Sequence, residues 1–297
     1  LGAVLSAELG AQEIKVPVSA DTTLFANNPA NNLGASDSLA VGATGKGLPA
    51  RSLLRFDLTG KVPAGSAVVG ARLEFSVVKA PPGDEASGVL VHRLLKDWHE
   101  GKGTGNLGRA AVAGESTWNH RSHPDVGWET PGSAPGSEFA ATPSGGTTMN
   151  AMGRYAIEGP GLVADVQAWL TDPASNRGWL MMSDKEATKL TARRIGSKES
   201  VSPADAPILV LTLGATAGPT ISRFGFVDGR FEIGFRAEAG NMYAVEYNLL
   251  GPGGVGWRTL TNVIAKLAPL EVTIVDPLLG GAGGQRFYRV ADVGDVD

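Results

Sequence analysis

The chain has 297 residues, 42% of them apolar and 6% aromatic, with a formal net charge of −4 and no cysteine. That length predicts about two domains with enough surface to bury a core without disulfides. The mild charge, with no Lys/Arg cluster, excludes the electrostatic footprint of a nucleic-acid binder, and no apolar run reaches the length that spans a bilayer.

Glycine, at 41 residues, is about twice its average usage, which suits short strands joined by many turns. A large cysteine-free chain of this kind fits an exported or cell-surface bacterial protein. The first eleven residues, LGAVLSAELGA, read either as the remnant of a signal peptide or as a flexible leader. Gln12 to Val18 alternates, with Gln12, Ile14, Val16 and Val18 on one side. It is either an edge strand of its own domain, as Pro17 favours, or a strand donated to a neighbouring copy.

Asn27 to Gly34 (NNPANNLG) is a turn or loop by its residue chemistry. Arg51 to Leu58 predicts a strand with Leu54, Phe56 and Leu58 on one face. Ala71 to Val78 predicts another, with Ala71, Leu73, Phe75 and Val77 inward and Arg72, Glu74 and Ser76 outward. Val89 to Leu95 follows. Residues 101–150 form a long Gly/Ser/Thr/Pro-rich stretch, a length that marks a functional or mobile loop. Leu162, Val163, Val166, Trp169 and Leu170 recur at helical spacing, and Pro173 stops the helix. Ile208 to Leu213 is a strand.

Gly214 to Pro219 (GATAGP) reads as a linker between a domain over 12–213 and a smaller one over 220–297. Beyond it, Arg230 to Arg236, Tyr243 to Tyr247, Trp257 to Val263, Leu270 to Val275 and Arg286 to Val290 supply short strands. Such a series predicts a small sandwich of fibronectin or immunoglobulin type. The expected fold class is all-β.

Several pieces in order carry a likeness. They are Ala20-Asp21-Thr22-Thr23, Asn32-Leu33-Gly34-Ala35-Ser36, Arg51 to Leu58, Val69 to Leu73, Trp98-His99-Glu100 and Thr117-Trp118-Asn119. Trp128, the segment Val163 to Trp169, Gly178-Trp179-Leu180, Ser197-Lys198-Glu199 and Ala206 to Leu209 complete them. In this order the first domain resembles the DNRLRE-domain family, which overlaps with carbohydrate-binding modules found beside polysaccharide lyases. The resemblance implies a jelly-roll-like β-sandwich and a role in polysaccharide binding, adhesion or surface structure.

Trp98, Glu100, Thr117, Trp118 and Trp128 are the candidate glycan face, because sugar C–H faces stack on aromatic rings while carboxylates take the hydroxyls. The alternative is that these tryptophans anchor long loops to the sandwich. Asp21, Asp57 and Asp205, at strand ends, are candidate ligands for a structural calcium, with ordinary turn chemistry as the alternative. His120-x-x-His123 has a metal-like spacing, and with His99 and Glu100 it could form a zinc site, though nothing else supports that ion. Gly103 to Gly108 (GTGNLG) matches G-x-G-x-x-G without the flanking strand and helix that dinucleotide binding needs. No nucleophile elbow, cysteine nucleophile or P-loop occurs. The sequence thus predicts a non-enzymatic extracellular structural or adhesive protein that requires no cofactor. Self-association or other surface proteins are its expected partners, and polysaccharide binding is the alternative.

Overall fold

The computed structural model describes residues 12–63, 66–82, 86–214, 219, 221–238, 241–249, 256–265, 268–277 and 286–295. The expected leader (residues 1–11) and residues 215–218 of the expected linker lie outside them. The chain divides into two compact units. The larger comprises Glu13–Val62 and Val68–Thr212; the other holds Leu213–Asp297 with Leu1–Gln12 and Pro63–Ala67.

The larger unit begins with β1 (Gln12–Pro17), β2 (Ala20–Phe25), the short β3 (Asn31–Asn32), β4 (Ser38–Ala43), β5 (Pro49–Arg55), β6 (Val68–Lys79) and β7 (Ser87–Arg93). The long stretch after it is not structureless: it carries β8 (Arg109–Ala110), β9 (His120–Ser122), β10 (Val126–Gly127) and β11 (Gly145–Met149). Then come β12 (Gly153–Glu158), α1 (Pro160–Thr171), β13 (Trp179–Ser183), β14 (Arg193–Gly196) and β15 (Ile208–Leu213).

Eleven of these strands form one curled sheet in the order β1-β15-β6-β14-β4-β5-β13-β7-β11, with β12 also on β6 and β2 also on β5. The curl turns at β4. Its residues Ser38–Val41 pair with β14, while Gly42 and Ala43 pair with β5. Gly42 sits at φ 113°, and a Cβ there would lie 2.7 Å from the Thr191 carbonyl oxygen, so only glycine fits the corner. The alternation read for Ala71–Val78 holds, with Ala71, Leu73, Phe75 and Val77 all buried. Strand β5 ends at Arg55, three residues short of the expected Leu58. Phe56 and Leu58 stay buried beyond the strand, and Asn176 Nδ2 donates to the Phe56 carbonyl at 2.8 Å.

Helix α1 starts on Pro160, where a missing N–H costs nothing, and buries Leu162, Val166 and Trp169. Trp169 packs on Trp179 with ring centroids 4.6 Å apart. Asp165, also buried, accepts hydrogen bonds from Ser144 Oγ and, at 2.7 Å, from Trp179 Nε1, so one carboxylate ties the helix to β13 and to the start of β11. Among the described residues no helix is long and apolar enough to cross a membrane.

The smaller unit contains β16 (Ile221–Val227), β17 (Arg230–Ala237), β18 (Asn241–Asn248), β19 (Arg258–Ile264), β20 (Leu270–Asp276) and β21 (Phe287–Asp295). They form two three-stranded sheets, β16-β17-β20 and β19-β18-β21. Phe231, Ile233 and Phe235 of one sheet share a core with Tyr243, Val245, Tyr288 and Val290 of the other. Phe231 and Tyr288 stack with centroids 4.7 Å apart. Each such side chain contributes roughly 1.5–3 kcal/mol by its removal from water. One ionic group is buried with them: Asp276 accepts from Arg286 Nη1 and from the Tyr288 hydroxyl, each at 2.6 Å. Burial and the Asp276 charge push the Tyr288 phenol far up, so it stays a donor. The described residues are all-β apart from α1 and short 3-10 turns.

Candidate functional site

Three residues of the expected glycan face, Trp98, Thr117 and Trp128, are buried, and Glu100 and Trp118 are half-buried. Trp98 is 1% exposed and Trp128 6%, and both belong to a cluster with Leu24, Leu53, Leu94, Phe139 and Leu180, against which Trp118 packs. Their indole N–H groups are spent on the chain itself, Trp98 Nε1 on the Arg177 carbonyl (2.8 Å) and Trp128 Nε1 on the Thr117 carbonyl (2.9 Å). Thr117 is fully buried, and its Oγ1 accepts from the N–H of Asn119 and of His120. The Arg51 guanidinium covers Trp118, 5.5 Å from its ring centroid, and clamps Glu186 with two bonds of 2.8 Å. Gly132 abuts the same ring: a Cβ there would meet it at 2.4 Å. A half-apolar side chain of this size stabilises most when it leaves water, and here it fastens a long loop. The tryptophans are therefore anchors, and Thr117 is part of the loop's internal wiring.

The rest of that loop is held by polar residues that sequence reading did not single out. Asn32 is fully buried and uses its whole amide. Its Nδ2 donates to the carbonyls of Glu100 and Ser116, and its Oδ1 accepts from the N–H of Gly34 and of Gly103. Glu115 accepts from the N–H of Lys102 and of Val112 and from Arg109. Glu138 accepts from the N–H of Glu129 and of Ala134. The GTGNLG run wraps Asn32: a Cβ on Gly103 would stand 1.8 Å from the Asn32 carbonyl oxygen. Close backbone approach at Gly103 and Gly108, and a φ of 82° at Gly105, account for its glycines.

The expected strand donor is spent as well. β1 pairs with β15 in its own sheet, Val16 is fully buried, and the Val18 N–H donates to the Pro207 carbonyl at 3.1 Å. Ile14 is half-buried, and Gln12 is exposed at the strand's start.

The metal expectations also change. Asp57 is exposed and accepts from the N–H of Thr59, which holds its carboxyl below the usual range; this is turn chemistry. Asp205 lies in the 3-10 turn Pro203–Asp205. The rings of His120 and His123 meet at 5.1 Å, but no third ligand group joins them. Among the described residues a single group of metal-ligating side chains is close enough to share an ion: Asp21, Glu100 and Glu199. Asp21 thus keeps its place with different partners.

Three separated segments build this group. Asp21 lies on β2 and faces the same side as Phe25, away from the Leu24 cluster, by strand alternation. Glu100 follows the buried anchor Trp98, and its Oε1 accepts from the Asp21 N–H at 2.7 Å. Glu199 sits in a tight turn after β14. In that turn Ser197 Oγ donates to the Ser36 carbonyl, and the Lys198 N–H donates to Asp21 Oδ2 at 2.7 Å. The Lys198 ammonium closes the ring on Glu100 Oε2 at 2.8 Å and Glu199 Oε1 at 3.2 Å.

Burial pushes the Asp21 carboxyl up to about 8, against the Lys198 N–H that would lower it. Burial likewise raises Glu199. For Lys198 burial opposes the charge, but its contacts with Glu100 and Glu199 prevail and hold its ammonium above the ordinary value. All three segments are among the pieces that carry the family likeness, so the signal for Glu199 was present in the Ser-Lys-Glu run without a role attached to it.

No family model and no curated protein matches the chain. Among solved structures, the chain is similar to a beta-1,2-glucanase from Parabacteroides distasonis at 11% identity. The match covers 97% of this chain and 36% of that one, so the chain spans about a third of that protein's length, and the TM-score is 0.17. So low a score carries no argument about either fold or activity.

Proposed function

We propose that this is a non-enzymatic, secreted or cell-surface structural protein that associates with further copies of itself. The observation that carries the reading is the edge of the smaller unit. β16 is bonded to β17 on one side only, among the described residues. Phe224 and Phe226 stand opposite the core residues Ile233 and Phe231, so they lie on the apolar face of the sheet. Yet they are 52% and 62% exposed and stand outside the shared core. A strand edge with unpaired backbone groups beside uncovered aromatic rings is a template for pairing. A second β16, related by a two-fold axis, would extend the sheet and cover both rings. The commitment of the Trp-bearing loop to internal bonds also supports a scaffold role.

Sedimentation velocity over a concentration series tests this. Wild type is expected to shift to larger species as concentration rises, and Phe226→Lys to remain a folded monomer. A wild type that stays monomeric throughout contradicts the reading.

Polysaccharide binding is the second reading. With the Trp platform gone, it is supported by an open groove of about 490 Å³ whose lining includes Asp37, Lys79, Asn106 and Arg194. Retardation of wild type, but not of Arg194→Ala, on a polysaccharide affinity gel would favour it. Equal migration of the two would remove that groove as its basis.

A further inference from the structure

Asp21, Glu100 and Glu199 are brought together from three distant stretches of chain. Each offers one carboxylate oxygen, all within 4.8 Å of one another. Acidic side chains gather on many protein surfaces, but this group differs in one respect. Asp21 is 1% exposed, and its Oδ1 takes no hydrogen bond; Glu199 Oε2 is also shut off from solvent without a donor. Buried carboxylate oxygens are satisfied in nearly all folded proteins, and two left bare in one cluster need a partner. The Lys198 ammonium pairs with Glu100 Oε2 and Glu199 Oε1 and reaches neither bare oxygen.

We propose that this cluster is a calcium site with Asp21, Glu100 and Glu199 as its protein ligands. Calcium takes hard oxygen ligands at about 2.3–2.6 Å, so two oxygens on one ion stand up to about 5 Å apart, which suits this spread. Magnesium demands a near-ideal octahedron at about 2.0–2.1 Å and holds its waters, which fits a site of three carboxylates from three separate segments less well.

Lys198 is then a built-in competitor. Its side chain, a third exposed, stands at the rim and can swing its ammonium into water as the ion enters. The charged groups facing Asp21 are Glu100, Glu199 and Lys198.

The test uses the full chain, stripped with a chelator and titrated with calcium chloride by calorimetry, with thermal unfolding alongside. One calcium per chain is expected, with a dissociation constant in the roughly 0.1–1 mM range of extracellular modules and a raised melting temperature. Lys198→Met, which removes the competing ammonium, should bind several-fold tighter. Asp21→Asn keeps an acceptor for the Lys198 N–H, so it should fold and lose the response. Glu199→Gln provides the same test should the Asp21 variant fail to fold. The proposal is overturned if neither wild type nor Lys198→Met responds up to about 10 mM calcium, well above the weakest such sites. It is equally overturned if Asp21→Asn and Glu199→Gln bind as tightly as wild type.

Discussion

Asp21 shows how one buried carboxyl can shape the pH response of a domain. Its folded value lies at about 8, above the ordinary 3.8. Between these values the folded chain holds a proton that the unfolded chain releases, so this group favours folding fully below about pH 4 and loses that contribution as pH rises through about 8. In chelator, chemical denaturation across that window should show the larger unit weakening with pH, and Asp21→Asn should flatten the Asp21 share of the slope. A slope that the substitution leaves unchanged would show that Asp21 titrates normally. The same scale explains what the sequence could not show. A tryptophan in a loop has no alternation to reveal whether it faces water or the core, so Trp98, Trp118 and Trp128 supported two readings until their burial was known. Asn32, Glu115 and Glu138 cap backbone groups reached only through tertiary contact, and nothing in their local sequence marks that use.

Among the elements, those with one wet face were legible. Strand β6 alternates because it is covered on one side, and β17 and β18 do so for the same reason. Strand β4 (SLAVGA) has all six residues buried, so no period-two pattern exists to be read. Strand β2 buries five of its six residues, and its Asp21 passes for an ordinary strand-end acid. The helix was visible because Leu162, Val166 and Trp169 recur with the turn. Its attachment was not, since Asp165 meets Ser144 and Trp179 only in the fold. Asp165→Ala leaves the Trp179 N–H and the Ser144 hydroxyl buried without their acceptor. It should cost about 1–3 kcal/mol per group left unsatisfied, read as a lower denaturation midpoint. A variant as stable as wild type would mean that α1 is held by its apolar face alone.

For the whole molecule, two β units with separate cores account for the described residues, and neither spends a cysteine. The larger unit directs its long loop inward, onto the Trp98 cluster and the Asp21 group. The smaller one leaves aromatic side chains of a strand edge in water. That contrast was hidden in the sequence, because Phe224 and Phe226 have the spacing of buried strand residues yet stand outside the core. Self-association is where the account is most exposed. Electron microscopy of concentrated wild type beside Phe226→Lys tests it most directly. Paired particles of the wild type and single particles of the variant are expected; single monomeric particles in both would contradict self-association.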